Sequence, residues 1–389
     1  VRANGCRISI PAFERALPAD EPRVAGRAVT LSQAATAAAE LLHGARQPLF
    51  GGLGTDVAGA RAIVRLAERC GGVLDHMNST AGLRDALVLQ DSGWITTTLS
   101  EVRNRADLLV VAGCDIAGRF PRFFERCIAN RETLFGAERR CEVVFLGQGP
   151  PEGSVPPELG VTVVPCDVPR LHEAFGALRA VIAGRPLQAA EAAGVSVSVW
   201  KSLAERMQAA KYGVVAWAAA DLAFPHAELT VQALCEMVKE LGRTTRFCGL
   251  PLSSGDGDVT FESVHLWHAG FGSRTSYGRG QVEYDPYHFS TAGLLQRGES
   301  DVLVWVSSFS ETRTPPATSA PTVVLGRAGM GLPEEPAVFI PVGTPGLDHA
   351  GHMFRTDRVV ALPVARLRES GLPSVAQAVE AIEEALSCC

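Results

Sequence analysis

The run Ala106-Asp107-Leu108-Leu109-Val110-Val111-Ala112-Gly113 decides the fold class of this chain. It is continuously apolar and rich in β-branched residues, which is typical of a strand buried on both faces of a parallel sheet. A second run, Ser300-Asp301-Val302-Leu303-Val304-Trp305-Val306-Ser307, repeats the pattern, including the small residue and the aspartate at its start. The repetition predicts an α/β protein built from two tandem, doubly wound (Rossmann-like) parallel-sheet units.

Other apolar runs extend this plan. Strands are predicted at residues 48–54, 141–146, 161–165, 212–218, 321–327 and 337–342. Helices are predicted at residues 57–69, 121–129, 229–241 and 374–386, the first with Asp56 as its N-cap and Gly71-Gly72 at its end. Residues 183–193 are expected to connect the two halves. The glycine-dense residues 249–280 and the stretch 343–352 are predicted to be loops, the former lining a pocket or an interface.

Composition excludes several classes of protein. The chain has 389 residues, of which 47% are hydrophobic and 20% charged, in the range of globular proteins. Its net charge of −6 argues against a nucleic-acid-binding protein. No apolar stretch has the length of a membrane span, and the first residues do not resemble an export signal, so a cytoplasmic location is expected. The ten cysteines form no CxxC pair and are predicted to be reduced structural thiols.

Several short motifs permit two interpretations. The turn Gly51-Gly52-Leu53-Gly54 offers backbone amides to a phosphate, but it lacks the GxGxxG spacing and a Walker lysine, which favours a tight strand-to-helix turn. His265-Leu266-Trp267-His268 and His349-Ala350-Gly351-His352 contain paired histidines without an HExxH motif. We predict loops with structural or solvent-facing histidines there. Cys114 follows a predicted strand end, as an active-site cysteine would, but a buried core thiol is the simpler interpretation.

A family resemblance is carried by Leu89-Gln90-Asp91-Ser92-Gly93-Trp94 and by Leu99-Ser100-Glu101-Val102-Arg103-Asn104-Arg105-Ala106-Asp107. These segments resemble the B-type subunit of formylmethanofuran dehydrogenases, which are molybdenum or tungsten bis-pterin proteins of the dimethyl-sulfoxide-reductase superfamily. Further similar segments lie at residues 279–286, 294–301 and 351–359. The resemblance therefore spans most of the chain, and it implies sheet units like the central domains of molybdopterin oxidoreductases.

The resemblance also shows what this chain lacks. Active members carry a Cys-His pair shortly before the Leu-Gln-Asp segment, where the cysteine ligates the metal and the histidine serves catalysis. Ala81 and Gly82 stand there, and no cysteine occurs between Cys70 and Cys114. Active members also have a four-cysteine motif for an iron–sulfur cluster near the N-terminus, where this chain has only Cys6. The expectation is a relative with neither catalytic residues nor metal, pterin or cluster.

The domain boundaries predicted on this basis are a cluster-domain remnant at residues 1–30, α/β units at 31–193 and 194–345, and a C-terminal extension with its helix at 346–389. By resemblance, the chain is a non-catalytic scaffold subunit of a bacterial formyltransferase/hydrolase complex. Such a complex transfers a formyl group from formyl-tetrahydromethanopterin to a methanofuran-type carrier and hydrolyses the product to formate. The expected partners are an amidohydrolase-like hydrolase subunit, a formyltransferase subunit and a further small subunit.

Two alternatives remain open from the sequence. In the first, the chain is the B-type subunit of an active molybdenum or tungsten formylmethanofuran dehydrogenase, with Ser79 or Asp85 as an oxygen ligand in place of the cysteine. In the second, it is a binding module that keeps the old pocket for the anionic tail of the carrier. Arg274 and Arg279, in the glycine-rich stretch, are the candidate carrier contacts, because guanidinium groups bind carboxylates well.

Overall fold

The computed structural model describes residues 5–130, 132–134 and 140–388. Within these residues the α-helices are α1 (Ser9–Glu14), α2 (Leu31–His43), α3 (Val57–Cys70), α4 (Ser79–Asp91), α5 (Leu99–Arg105), α6 (Ile116–Arg119), α7 (Leu171–Ile182), α8 (Val197–Ala209), α9 (Ala227–Leu241), α10 (Asp258–Ala269), α11 (Thr291–Arg297) and α12 (Val375–Leu386). A π-helical turn lies at Phe124–Ile128 and a 3₁₀ turn at Val168–Arg170.

The strands of the described residues are β1 (Arg23–Val24), β2 (Arg27–Ala28), β3 (Pro48–Gly54), β4 (Val73–His76), β5 (Leu108–Ala112), β6 (Glu142–Leu146), β7 (Val161–Val164), β8 (Glu191–Ala192), β9 (Val195–Ser196), β10 (Gly213–Ala218), β11 (Phe247–Leu252), β12 (Thr275–Ser276), β13 (Glu283–Tyr284), β14 (Val302–Ser307), β15 (Thr322–Arg327), β16 (Val338–Val342), β17 (Gly351–Phe354) and β18 (Ala361–Val364). They form two large sheets and two separate hairpins. The α/β class with parallel sheets is confirmed.

The first compact unit, called here the five-stranded unit, contains residues up to Glu14 and Thr80–Ser254. Its sheet has the order β11-β10-β5-β6-β7, and every strand pair in it is parallel. Alternate residues of each strand face opposite cores: Leu109 and Val143 lie in one, Val110 and Val144 in the other. Helices cover both faces, which explains why the strand sequences are apolar throughout.

The second compact unit, called here the nine-stranded unit, contains Arg15–Ser79 and Gly255–Cys389. Its sheet has the order β13-β12-β4-β3-β14-β15-β16-β1-β2, in which the strands from β4 to β16 are parallel and the outer strands are antiparallel. Side chains from α2, α3 and α12 fill the core on one face, where Phe50 and Ile63 are fully buried. Leu294 of α11 packs with Leu303 and Trp305 on the other face.

The predicted domain boundaries differ from these two units. Strand β3 of the first predicted α/β unit pairs with β14 of the second. Likewise, β5 of the first predicted unit pairs with β10 of the second. Each unit therefore consists of two separate segments of the chain. Helix α12, placed in the predicted extension, belongs to the core of the nine-stranded unit, and β1 from the predicted remnant pairs with β16. Local apolar patterns identify strands, but partner choice depends on contacts between residues distant in sequence.

The repeated aspartate of the two decisive runs has the same role in both units. The Asp107 carboxylate accepts hydrogen bonds from the backbone N–H groups of Lys211 (2.8 Å) and Tyr212 (3.0 Å), which lead into β10. The Asp301 carboxylate accepts from Arg46 (2.7 Å) and Gln47 (3.0 Å), which lead into β3. In each unit the aspartate thus fixes the entry of the neighbouring strand by satisfying two backbone donors.

Helix α3 begins as predicted. The Asp56 carboxylate accepts from the backbone N–H of Gly59 at 3.0 Å, and Gly71 ends the helix in the left-handed region with φ of 66°. The turn before it needs a glycine at position 52, because a Cβ there would lie 2.5 Å from the Val306 carbonyl oxygen and φ is 74°. The tight-turn interpretation of residues 51–54 thus agrees with the structure.

Two predictions of local structure were wrong. Residues 249–280 contain the end of β11, helix α10 and strand β12. The glycines there cap elements, since Gly257 and Gly270 flank α10, whose buried residues Phe261, Val264 and His265 follow helical spacing. In place of the helix predicted at 121–129 the structure has a π-helical turn at Phe124–Ile128, and the short helix α6 precedes it. The other predicted elements lie within a few residues of the observed ones.

Most described cysteines are buried or half-buried and all are free thiols, while Cys388 is exposed. Burial raises the pKa of Cys70 to about 11 and that of Cys235 to about 12, so both are unreactive neutral thiols. Among the described residues, no helix has the length and apolar character needed to cross a membrane.

Candidate functional site

Helix α4 carries the segment that resembles the family's catalytic region. It buries a stripe of Ala81, Asp85 and Val88, spaced four and three residues apart on one side of the helix. The helix also carries Arg84, whose guanidinium donates to the Ala219 carbonyl oxygen at 2.8 Å. Burial lowers the pKa of Arg84, an effect that the charges of Glu228 and Asp85 oppose.

The two positions of the missing Cys-His pair lie on the first turns of α4. Ala81 is 8% exposed, and its methyl group has no atom that can bind a metal. A Cβ added at Gly82 would meet no described atom within 4 Å. The space beside Gly82 has therefore not been filled by another described side chain.

The two alternative oxygen ligands are engaged within the protein. The Ser79 hydroxyl accepts from the Arg274 guanidinium at 3.3 Å and is 7% exposed. The Asp85 carboxylate accepts from the indole N–H of Trp217 at 2.9 Å and is 4% exposed. Both groups already have buried partners, so a metal at either would compete with a hydrogen bond that the fold uses.

Arg274 is a buried structural residue. Its guanidinium lies 3.5 Å from the Asp75 carboxylate and donates to the Pro286 carbonyl oxygen at 2.5 Å, with only 8% of the side chain exposed. Burial raises the pKa of Asp75, and the charge of Arg274 opposes that effect. This differs from the sequence interpretation, which placed Arg274 on a loop facing a carrier. The reason is that strand β12, which follows Arg274 directly, pairs with β4 and is buried.

Arg279 lies on the surface. Its side chain is 79% exposed and forms an ion pair of 3.1 Å with Glu283, four residues along the chain. Such a pair is weak in solvent, so the guanidinium can exchange this partner for another anion. A carrier contact at Arg279 stays a prediction.

The first histidine pair lies on helix α10 and not on the predicted loop, whereas His349 of the second pair lies outside the helices and strands, as predicted. His265 is on α10 and fully buried, with Nδ1 2.8 Å from the Gly272 carbonyl oxygen and Nε2 2.9 Å from the Tyr277 hydroxyl. Burial lowers its pKa, so the ring is neutral and structural. His352 is exposed on strand β17. Within residues 5–130, 132–134 and 140–388, no group of three His, Cys, Asp or Glu side chains could hold a metal ion.

Cys6, the only cysteine in the region of the family's cluster motif, is used locally. Its sulfur accepts from the backbone N–H of Ser9 at 3.4 Å, at the beginning of α1. The hydrogen bond with Ser9 lowers the pKa of this thiol, against the opposing effect of burial. One thiolate cannot replace the four that hold an iron–sulfur cluster.

A crevice that sequence reasoning missed lies at the carboxyl ends of β5 and β6 in the five-stranded unit. Its volume is about 500 Å³, and Gly113, Cys114, Gln148 and Asp221 contribute to its walls. Ligands of open α/β sheets bind at this edge, where strand order reverses. Burial raises the pKa of Cys114 well above its ordinary value, which makes a nucleophilic thiolate unfavourable and supports the core-thiol interpretation.

An ion pair lies at this crevice. The Asp221 carboxylate accepts from the Arg119 guanidinium at 3.0 and 3.1 Å and from the backbone N–H of Asp115 at 2.9 Å. Side chains of Arg119 and Asp221 are 28% and 20% exposed. The positive charge of Arg119 is therefore neutralised by the protein's own carboxylate. In the sequence, only the position of Cys114 directly after a predicted strand indicated this carboxyl edge of the sheet.

Comparison with known proteins identifies the family. No family model matches the chain. The chain is 30% identical over 348 residues to the B-type subunit of the formyltransferase/hydrolase complex Fhc of Methylorubrum extorquens, a match that covers 87% of this chain and 89% of that protein. This chain belongs to the family of B-type subunits of formyltransferase/hydrolase complexes and formylmethanofuran dehydrogenases. The resemblance predicted from the sequence is thus confirmed.

More distant members and a solved structure agree. The B-type subunit of the tungsten-containing formylmethanofuran dehydrogenase 2 of Methanocaldococcus jannaschii is 25% identical over 327 residues, which cover 82% of this chain and 75% of that protein. One protein chain in the crystal structure of the formyltransferase/hydrolase complex FhcABCD from Methylorubrum extorquens, determined in complex with methylofuran, superposes with a TM-score of 0.79 at 27% identity. That superposition covers 94% of this chain and 98% of the other, so the shared fold extends over nearly all of both chains.

Proposed function

We propose that this chain is the non-catalytic, cofactor-free scaffold subunit of a formyltransferase/hydrolase complex. The observation that carries the proposal is the replacement of the Cys-His pair by Ala81 and Gly82 on α4, in a chain that keeps the family's fold. In this proposal the formyl transfer to a methanofuran-type carrier and the hydrolysis to formate belong to partner subunits. The chain's contribution is a folded surface on which the complex assembles, in the cytoplasm.

The side chains present do not fit a bis-pterin metal centre. Active relatives place a cysteine ligand at the position of Ala81, whose methyl group has no atom that can bind a metal. The neighbouring oxygen donors, Ser79 and Asp85, are held by Arg274 and Trp217. The iron–sulfur cluster would in turn need four thiolates where Cys6 stands alone. No chemical step is therefore assigned to this chain.

Expected partners are an amidohydrolase-like hydrolase subunit, a formyltransferase subunit and a further small subunit. Support comes from the similar chain of known crystal structure, which is part of a complex named FhcABCD. The exposed Arg279 is a candidate contact for the anionic tail of a methanofuran-type carrier. Carrier turnover by the complex with Arg279→Ala, compared with wild type and with the surface control Arg366→Ala, tests that contact. Unchanged turnover would remove Arg279 from the proposal.

The decisive experiment is co-expression of the untagged chain with tagged partner subunits from the same genome, in medium supplied with tungstate and molybdate. The proposal predicts that the chain co-purifies stoichiometrically, that omitting it reduces formyl transfer, and that elemental analysis finds neither metal in stoichiometric amount. Stoichiometric tungsten or molybdenum, together with formate-dependent dye reduction, would instead establish the dehydrogenase alternative. Failure to co-purify with any of the partners would overturn the scaffold role.

A further inference from the structure

The sheet of the five-stranded unit has one edge that the described part of the chain does not cover. Strand β7 is the last strand at that edge and pairs with β6. The carbonyl oxygens of Gly160 and Val164 accept from backbone N–H groups of β6 and of the residue after it, at 3.4 and 3.0 Å. Consecutive residues of a strand direct their backbone groups to opposite sides, so Val161 and Val163 direct theirs away from the sheet.

The opposite edge of the same sheet is covered by an extended segment of the chain itself. The backbone N–H of Gly249 in β11 donates to the Ile95 carbonyl oxygen at 2.8 Å, and the Gly249 carbonyl oxygen accepts from the N–H of Thr97 at 2.9 Å. Among the described residues, no segment makes the equivalent bonds to Val161 or Val163. The two edges of this sheet therefore differ by one extended segment.

A groove of about 410 Å³ lies beside β7 and is bounded on its other side by helix α8. Val163 of the strand and Val199 of the helix contribute apolar walls, and their side chains are 42% and 38% exposed. Ser198 and Ser202 add two small side chains from the same side of the helix. The helix thus offers an apolar, small-residue surface next to the uncovered strand edge.

Strand β7 has none of the features that usually protect a free edge. Natural edge strands are blocked by charged side chains, prolines or bulges. The sequence of β7 is Val-Thr-Val-Val, and its register with β6 is regular over residues 161–164. The charged residue of the groove, Arg206, is paired with Glu142. An uncharged, β-branched edge beside a neutralised groove matches an uncharged segment in extended conformation.

The small size of this surface favours a partner subunit over a second copy of the chain. Four strand residues span about 13 Å. Two such edges would bury much less area than the roughly 1,200 Å² at which stable interfaces begin. Antiparallel pairing of two β7 edges about a two-fold axis would also place both copies of α8 on one face, beside the same narrow groove. A single segment of a subunit that is held by further contacts meets neither obstacle.

We propose that β7 and its groove bind an extended, apolar segment of a partner subunit, which adds a sixth strand to the five-stranded sheet. Backbone hydrogen bonds to Val161 and Val163 hold the segment, and its alternate side chains enter the groove beside Val199. The inference rests on the proposed scaffold function, because it names a surface through which the chain holds one of its partners.

Hydrogen–deuterium exchange tests the added strand directly. It is measured at single amides by mass spectrometry, on the free chain and on the complex co-purified with tagged partner subunits. The amides of Val161 and Val163 are expected to exchange at least about tenfold more slowly in the complex, because each then donates to the added strand. The Gly249 amide already donates to Ile95, so it is the internal control and should exchange similarly in both samples.

A substitution at Val163 separates its backbone contact from its side chain. Val163→Pro removes the outward N–H and leaves the ladder with β6 complete, as prolines on edge strands do. We expect it to weaken binding to the partner subunits at least about tenfold, measured by biolayer interferometry. Val163→Thr keeps the N–H and the branched shape, so this matched control should bind like wild type.

A second variant covers the case in which Val163→Pro does not fold. Val199→Glu places a charge in the groove without touching β7, and we expect it to weaken binding by a similar factor. Val359→Glu changes a valine that is 54% exposed outside the groove, and it should bind like wild type.

The outcomes separate this inference from the scaffold function. Co-purification of the chain with unprotected β7 amides, and with Val199→Glu bound as tightly as wild type, would overturn the strand addition and leave the scaffold function intact. Absence of co-purification would overturn both. A dimer of the isolated chain in light scattering that Val163→Pro dissociates would overturn the choice of a partner subunit in favour of a second copy.

Discussion

The carboxyl edges of the two parallel sheets carry arginines in opposite electrostatic states. In the five-stranded unit, Arg119 is neutralised by Asp221, which also accepts a backbone N–H from Asp115. In the nine-stranded unit, Arg327 donates to a carbonyl oxygen and forms no ion pair with a described residue. Burial lowers its pKa, as do Arg15 and Arg368, while Glu311 and Asp348 raise it. The same architectural position is thus closed by a carboxylate of the protein in one unit and left positive in the other.

The difference shows how the same edge of two similar sheets can hold arginines in unlike electrostatic surroundings. At Arg119 the Asp221 carboxylate makes the bonds that an external anion would make to a guanidinium and a backbone donor. An anionic ligand would have to displace it and leave a carboxylate without its partner. At Arg327 an incoming anion would not have to displace a carboxylate that is paired with this guanidinium. The comparison therefore predicts unequal responses when the carboxylates of the two edges are removed.

The largest effect is expected for Asp348→Asn in the nine-stranded unit. This change leaves Arg368 without its buried partner beside two other guanidinium groups, and we expect the free energy of unfolding to fall by about 3 kcal/mol. Urea unfolding followed by circular dichroism measures the loss. Arg366→Gln breaks only an exposed pair and should change stability by less than about 0.5 kcal/mol. A loss for Asp348→Asn as small as that of the control would contradict the role given to this carboxylate.

A smaller loss is expected for Asp221→Asn in the five-stranded unit. Both partners of this ion pair are partly exposed, so solvent screens the freed Arg119, and we expect a loss of about 1–2 kcal/mol. The variant should gain phosphate-dependent thermal stabilisation that wild type lacks at this crevice. To separate the two edges, the measurement is made in an Arg327→Gln background. A variant that gains no response to phosphate would show that the crevice is not a closed anion site.

The sequence predicted those parts of the fold that depend on neighbours along the chain. Asp56 and Gly71 bound helix α3 as predicted, because a cap depends on residues within one turn. The pairing of β3 with β14 was not predicted, since Pro48 and Val302 meet only in the folded sheet. Buried parallel strands have similar apolar sequences, so any pair of them fits locally. The tandem boundaries were wrong for this reason.

The candidate sites also divide into features that the local sequence indicates and features that depend on residues distant in sequence. The replacements at Ala81 and Gly82 were visible in the sequence because a family pattern fixes their spacing. The Arg119–Asp221 pair joins residues 102 positions apart, and nothing in either local sequence indicates the other. An arginine that lacks a carboxylate, such as Arg327, is recognisable only when every charge around it has been placed.

The stability of the nine-stranded unit is expected to depend on pH through His265. Its pKa is lowered by burial, against the opposing effect of Glu262, while the His268 charge lowers it further. Below the unfolded pKa of about 6.5 the unfolded chain binds a proton that the folded chain does not. Stability is therefore complete above about pH 6.5 and decreases as the pH falls towards the folded pKa.

Unfolding measured between pH 5 and 8 tests this dependence. His265→Gln removes the titrating ring, so it should unfold more easily at pH 8 but lose less stability between pH 8 and 5 than wild type does. His268→Gln, on the exposed side of the same helix, should reduce the slope only slightly, because the charge of His268 lowers the pKa of His265 less than burial does. Equal slopes for His265→Gln and wild type would assign the acid sensitivity to other groups.

The smallest change in stability is expected where the family's chemistry was lost. Gly82 has open space around its Cβ position and lies within α4, so Gly82→His should be tolerated and should favour the helix by roughly 0.5 kcal/mol. Combined with Ala81→Cys, it restores the residue types of active relatives at nearly constant stability. Because the double variant still has Cys6 alone where active relatives carry a four-cysteine cluster motif, we expect it to hold no stoichiometric tungsten or molybdenum after expression with both. Elemental analysis of the double variant and of wild type measures the metal content. A double variant that contains stoichiometric metal would contradict the expectation, because two substitutions alone would then separate this scaffold from the dehydrogenase form of the family.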